Sequence, residues 1–346
     1  MSAEPVLSAV PATSTKPTAF MVMDSAALVP ELFKPAAMAR LRASVGLADP
    51  VISGESPRIP DSAAEAELII SGWGAPRFDE AMLEQWPRLR AIFHAAGSVK
   101  RIVSPALWER GIRVSSSADA NALPVAEYTL AMILQEAKGV FRSASRFTQT
   151  RDLLSARPIA PVGTYEISVG IIGASRIGRR VLQLLRPFDM TALLYDPSIS
   201  SEEAAALGAT LVSLPELLRR SRIVSIHAPS LPETYRMIGS EQLALLSDGC
   251  TVINTARGRL IDTDSLVDEL RTGRIRAVLD VTDPEPLPGD HPLFDLPNAV
   301  LTPHIAGSMG NELRRIGDHV VDEVELYLTT RSIRSEIHPH DLATIA

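Results

Sequence analysis

The chain has 346 residues, 46% hydrophobic and 22% charged, with a formal net charge of -7. That length exceeds one ordinary core and implies two domains of a globular protein. The acidic balance and the lack of any basic run exclude a nucleic-acid backbone binder, which needs clustered Lys and Arg. No apolar stretch reaches the roughly 18 residues of a membrane span. The single cysteine, Cys250, cannot form an internal disulfide and opens an apolar run, which reads as a buried, inert thiol.

The N-terminal stretch "MSAEPVLSAVPATSTKPTAF" carries an acid and three early prolines, unlike a secretory leader with its basic start and unbroken apolar core. Residues 1–17, rich in Ala, Ser, Thr and Pro, are expected to form a disordered extension, and the protein is expected to be cytoplasmic. Four strand candidates follow, "AFMVM", "AELIIS", "LRAIFHA" and "GIRVSS", with a helix over "ALVPELFKPAAMARLRASVG" after the first. Trp73 and His94 stand at the ends of two of these strands.

A helix is predicted over 121–139, "NALPVAEYTLAMILQEAKG", and the polar stretch "RSASRFTQTRDLLSARPIAPVGTYEI" then reads as a surface arm or loop. From residue 169 the alternation of strand and helix is regular. "VGIIG", "TALLYD", "RIVSIHA", "CTVINTA", "RAVLDV" and "AVLTP" predict six parallel strands, the count of a full dinucleotide-binding sheet. Ser213 with Glu216, and Asp262 before "TDSLVDELRTG", mark helix starts, and Gly273 marks a stop. A last helix is predicted over 311–330. The fold class is α/β, with doubly wound parallel sheets.

Within "VGIIGASRIGRR", Gly173 provides a tight turn and Gly178 lets a helix lie close to a strand. Between them stands Ser175 where a dinucleotide fingerprint carries its middle glycine. Its Cβ enters the space of a pyrophosphate, and its hydroxyl adds a donor. The helix start, with Arg176 and Ile177, still offers amides and a positive dipole end to an anion. Asp196 ends the second strand, placed to accept both adenosine ribose hydroxyls and to repel a 2′-phosphate. That points to NAD.

In open α/β sheets ligands sit beyond the carboxyl ends of the strands. Arg257 follows "CTVINTA", Asp280 lies in "RAVLDV" with Glu285 after it, and His304 follows "AVLTP". Arg, Glu and His are therefore expected on one rim. Singly, each has a plainer explanation as a solvated charge, a loop acid or a core histidine.

With "VGIIGASRIGRR", "INTARGRLIDTDSLVDEL", "LDVTDPEPL" and "LTPHIAGS" in this order and spacing, the chain resembles the D-isomer-specific 2-hydroxyacid dehydrogenase family. Weaker echoes, among them "AAGSVKRI" and "SIHAPSLPET", extend the resemblance over roughly residues 68 to 330. It implies that Arg257 binds the carboxylate and carbonyl of a 2-oxo acid, and that His304 exchanges a proton with the carbonyl oxygen. Glu285 would hold the imidazole and stabilise its charged form. The backbone of Gly97, Ser98 and Val99 would meet the substrate carboxylate.

The same resemblance places Gly173, Ser175, Arg176, Ile177, Gly178, Asp196, His227, Pro229, Thr255, Ala256 and Asp280 at the cofactor, with packing an equal alternative for His227. It also implies a Rossmann NAD-binding domain, residues 121–306, inserted into a flavodoxin-like substrate domain of residues 18–120 and 307–346. A homodimer through the region from 121 into the arm after 139 is implied too, and no metal is called for. Ser175 and Thr282, where an aromatic is usual, depart from the family pattern on the cofactor side. The alternatives are an NAD-sensing corepressor on the same fold and a formate dehydrogenase. The absence of a DNA-contacting basic segment argues against the first, and the Glu285 and His304 pair against the second.

Overall fold

The computed structural model describes residues 16–53, 58–158 and 162–343. Of the expected N-terminal extension, all but Lys16 and Pro17 lies outside the described residues. The chain divides into two compact units, one of Met1–Ala95, Arg101–Ser115 and Gly317–Glu336, the other of Ala96–Lys100, Ser116–Ile316 and Ile337–Ala346.

The first unit is built on β1 (Thr18–Val22), β2 (Gly46–Leu47), β3 (Leu68–Ser71), β4 (Ala91–His94) and β5 (Arg113–Ser116). Their order, β2-β1-β3-β4-β5, is that of a flavodoxin-like doubly wound sheet. All four residues of β3 and of β4 are buried, as a strand covered on both faces must be. Pro35 divides the helix expected over 27–46 into Leu28–Leu32 and Pro35–Ser44, because a proline cannot donate to the preceding turn. The returning chain packs on this pair through Gly317, where a Cβ would stand 1.9 Å from the Leu32 carbonyl oxygen. Arg113 completes the unit by pairing with Glu336.

The second unit carries seven strands: β6 (Ile167–Ile172), β7 (Met190–Tyr195), β8 (Thr210–Leu211), β9 (Ile223–Ile226), β10 (Thr251–Asn254), β11 (Arg276–Leu279) and β12 (Ala299–Leu301). Their order is β12-β11-β10-β9-β6-β7-β8, with parallel pairings throughout. This is the dinucleotide-binding arrangement with one strand beyond the six expected. The switch point falls between β6 and β9, where the chain changes its direction of travel across the sheet.

The helix Arg176–Leu185 buries Gly178, Val181, Leu182 and Leu185, one stripe of an amphipathic helix laid on the sheet. The helix Ala118–Lys138 crosses the same face, ending at Gly139 in the left-handed region at φ +71°. Residues 142–150 of the stretch expected as a loop belong to a helix, Val140–Thr150, none of whose residues is buried. The polar character that hid it from the sequence pattern is that of a helix carrying its apolar residues on an open face.

Residues 96–100, 116–120, 307–316 and 337–343 fall in the larger unit, unlike the expected division at 120 and 307. Hydrogen bonds supply the reason for the first three. The Ser117 amide donates to the Ala96 carbonyl (3.1 Å), the Ser116 hydroxyl to the Gly97 carbonyl (2.6 Å), and the Ser308 amide to Asn121 Oδ1 (2.9 Å). Among the described residues no helix is long and apolar enough to cross a membrane.

Candidate active site

At the switch point β6 runs into Gly173, in the left-handed region at φ +98°. A Cβ there would stand 2.6 Å from the Ala228 amide nitrogen, and one on Gly178 would stand 2.0 Å from the Gly173 carbonyl oxygen. Both glycines are thus required by sterics. Ser175 is the N-cap of the Arg176–Leu185 helix, its hydroxyl oxygen accepting the Gly178 amide at 3.3 Å. It therefore replaces the glycine with a residue suited to the same position. By helix geometry the amides of Arg176 and Ile177 have no partner inside the helix and remain for an anion. Arg176 itself pairs with Asp119 at 2.9 Å.

Asp196 has two tasks. Its Oδ2 accepts the Ala174 amide at 2.6 Å, tying β7 to the glycine turn, while Oδ1 accepts the amide and hydroxyl of Ser198 at 2.8 and 2.6 Å. A sterically tight glycine turn, a helix start and an acid at the second strand end suit a dinucleotide. His227 lies behind the cradle, 3% exposed, with Nε2 paired to Ser225 Oγ at 2.9 Å. Burial pushes its imidazole down to about 3, so it supports the turn as a neutral ring. Pro229 offers its carbonyl to the Thr234 hydroxyl at 2.6 Å, and Thr255 and Ala256 are buried at the end of β10.

Arg257, Glu285 and His304 follow three neighbouring strands, β10, β11 and β12. The turn bearing Arg257 is braced by Asn254, whose Nδ2 donates to the Arg257 carbonyl (2.9 Å) and whose Oδ1 accepts the Ala256 amide (3.0 Å). Directly after it, Gly258 packs on the next loop so closely that a Cβ would lie 2.0 Å from the Thr282 carbonyl. Glu285 lies in that loop, between the cis prolines Pro284 and Pro286. Its Oε1 meets His304 Nδ1 at 2.5 Å, with both side chains about half exposed.

His304 stands in the left-handed region at φ +54°, sparsely populated for any residue but glycine. What holds it there is Asp280. This carboxylate is 2% exposed and accepts the Ile305 amide (2.8 Å), the Ala306 amide (2.9 Å) and the Thr302 hydroxyl (2.6 Å), while its backbone carbonyl takes the His304 amide (3.1 Å). The side chain thus serves the His304 turn, a placement that strand position alone does not reveal.

Gly97, Ser98 and Val99 join the same unit through the bonds of Ser116 and Ser117. Their neighbour Lys100 carries no signal of a role in the sequence. Its ammonium is held below the ordinary lysine range by burial and then by the Arg257 charge, so the two cations lie within electrostatic reach. Asn121, early in the Ala118–Lys138 helix, likewise carries no local sign of its bond to Ser308. In the first unit, His94 is buried with Nδ1 on Ser71 Oγ at 2.9 Å, and Trp73 is partly exposed. Cys250 is fully buried, and burial pushes its thiol up to about 12.

Residues 116–306 match the family model described as D-isomer specific 2-hydroxyacid dehydrogenase, NAD binding domain. The D-3-phosphoglycerate dehydrogenase of Mycobacterium tuberculosis is 34% identical over 269 residues, 77% of this chain and 49% of that protein. The chain therefore spans about half the length of the phosphoglycerate dehydrogenases it matches. The glyoxylate reductase of Korarchaeum cryptofilum is 31% identical over 265 residues, 76% of this chain and 78% of that protein. The crystal structure of D-lactate dehydrogenase from Aquifex aeolicus, complexed with NAD and lactic acid, aligns with a TM-score of 0.68 at 28% identity, covering 90% of this chain and 95% of that one. With that match over more than half its length, set on a seven-stranded dinucleotide-binding sheet, the chain belongs to the D-isomer-specific 2-hydroxyacid dehydrogenase family, and residues 116–306 are its NAD-binding domain.

Proposed function

We propose that the protein interconverts a 2-oxo acid and its D-2-hydroxy acid with NAD(H). The observation that carries this reading is the His304 and Glu285 pair, which together with Arg257 follows three adjacent strands of the NAD-binding sheet. The cofactor supplies hydride chemistry when bound. The Arg176 and Ile177 amides hold its diphosphate, Asp196 its adenosine ribose, and the rim formed by Pro229, Thr255 and Ala256 its other end.

Arg257 engages the substrate carboxylate and carbonyl with the two-pronged geometry of a guanidinium. The backbone of Gly97–Val99 and the Lys100 ammonium add positive potential beside it. Glu285 occupies Nδ1 of His304, which directs Nε2 toward the substrate oxygen as proton donor in reduction and acceptor in oxidation. The smaller unit, residues 18–95, 101–115 and 317–336, is the substrate domain of this reading, and the cell compartment is the cytoplasm. A homodimer forms through the region from 121 into the arm after 139, supported by the exposed side chains of Val140, Phe147, Leu153 and Leu154.

The test is absorbance at the NADH band with glyoxylate, hydroxypyruvate, pyruvate, 3-phosphohydroxypyruvate and bulkier 2-oxo acids. Oxidation of NADH by one or more of them is expected. No loss with any, together with retained NADH binding, would replace the enzyme reading by a nucleotide-sensing one.

A further inference from the structure

Two hydrogen-bonded chains leave consecutive residues of the Ala118–Lys138 helix for the two turns that carry the proposed chemistry. Tyr128 Oη lies 2.8 Å from Thr302 Oγ1, and that hydroxyl donates to Asp280 Oδ1 at 2.6 Å. Thr302 has one proton and spends it on Asp280, so Tyr128 must be the donor to Thr302. The order is Tyr128 to Thr302 to Asp280, and the last group pins the Ile305 and Ala306 amides on the far side of His304.

Thr129 is fully buried, and its hydroxyl donates to the Val125 carbonyl at 2.8 Å. Its oxygen also lies 3.0 Å from Thr255 Oγ1. The proton of Thr129 is committed to a carbonyl that can only accept, so Thr255 must donate to Thr129. The bond fixes Thr255, two residues before Arg257, at the root of the turn braced by Asn254. One helix thus ties down two strand ends through separate hydroxyl chains.

We propose that Tyr128 and Thr129 are positioning residues for the reaction, Tyr128 setting the His304 turn through Thr302 and Asp280, and Thr129 setting the Arg257 turn through Thr255. The inference rests on the roles given above to His304 and Arg257. Hydrogen bonds in a chain polarise one another, and losing one member weakens or orphans the group it held. Each tie acts on one turn only, so their removal has separable effects. A merely structural helix would lower stability and disturb both turns together.

The experiment compares the full-length protein with Tyr128→Phe, Thr129→Val and Thr129→Ser. Hydrogen–deuterium exchange is read on peptides covering 302–308 and 254–260, oxalate affinity by calorimetry, and kcat and KM with NADH and the best 2-oxo acid of the panel. Tyr128→Phe is expected to speed exchange at Ile305 and Ala306 and to lower kcat about tenfold, the size of one lost hydrogen bond, with KM and oxalate affinity within about twofold. Thr129→Val is expected to speed exchange in 254–260 and to raise KM and the oxalate Kd about tenfold, with kcat held within about threefold and Thr129→Ser restoring all three. Parallel changes in both peptides and both kinetic constants, or no change in exchange, overturn the proposal. If the wild-type protein turns over no 2-oxo acid the enzyme reading fails, while the exchange and oxalate measurements still decide whether each tie acts on its own turn.

Discussion

The turn after β6 and the turn after β12 both leave the sheet through a left-handed residue, Gly173 at φ +98° and His304 at φ +54°. The first is made by leaving side chains out: a Cβ on Gly173 or Gly178 would collide with backbone. The second keeps its side chain and is held by three hydrogen bonds to a buried carboxylate, Asp280. A nucleotide cradle needs space, and space is secured by glycine. A catalytic imidazole needs to be presented, and the unfavourable backbone that presents it needs a pin.

Exchanging the two strategies gives the largest expected effects. His304→Ala should lower turnover by about 10²-fold or more with NADH affinity nearly kept. His304→Gly should lose as much activity, yet be more stable than the alanine variant by about 1 kcal/mol, because glycine accepts the left-handed conformation without strain. Steady-state rates and denaturant midpoints of the two variants check this, and equal stability would mean that the turn stores no strain. The converse change, Gly178→Ala, should destabilise the protein by about 3 kcal/mol or abolish folding, since its methyl would lie 2.0 Å from the Gly173 carbonyl oxygen. A folded variant of unchanged melting temperature would show that the cradle can widen.

The same contrast decides what a reader of the sequence can find. Sterics write themselves as glycines, so the cradle and the six longer strands of its sheet are legible in residues 169–301. The two strands that pattern reading passes over, β2 (Gly46–Leu47) and β8 (Thr210–Leu211), are two residues long at sheet edges, too short to show any period. The Val140–Thr150 helix is hidden because its open face carries no buried residue. Side-chain pins such as Thr302, Asn121 and Tyr128 meet their partners 22, 187 and 174 residues away, and nothing local marks them. Arg257, Glu285 and His304 stand out by residue type after strands, whereas the route by which Asp280 aims His304 does not.

Acid should act on the cradle, because a neutral histidine is buried beneath it. His227 titrates at about 3 in the folded chain against 6.5 when free. Between these values the unfolded chain binds the additional proton, so the stability from burying the neutral ring is complete above 6.5 and drains as pH falls toward 3. By pH 5 the loss is roughly 2 kcal/mol. His227→Asn should lack this slope: its denaturant midpoint, whatever its value at pH 7, should fall less than that of the wild type by pH 5. Parallel curves for the two proteins would mean that other groups carry the acid limb.

The smallest effect concerns Ser175, the one position where the cradle departs from an all-glycine design. Its oxygen caps the helix by accepting the Gly178 amide. Removing that acceptor with Ser175→Ala should cost about 1 kcal/mol, while Ser175→Gly should cost only a few tenths, since glycine also serves as an N-cap. If the serine acts as a cap alone, NADH affinity of the glycine variant should stay within about threefold of wild type, because the Arg176 and Ile177 amides are untouched. Fluorescence titration with NADH and thermal melts of both variants separate the outcomes. A glycine variant that binds NADH more than tenfold tighter would show that the Cβ of Ser175 obstructs the diphosphate, and the cradle would then be limited by the one side chain it retains.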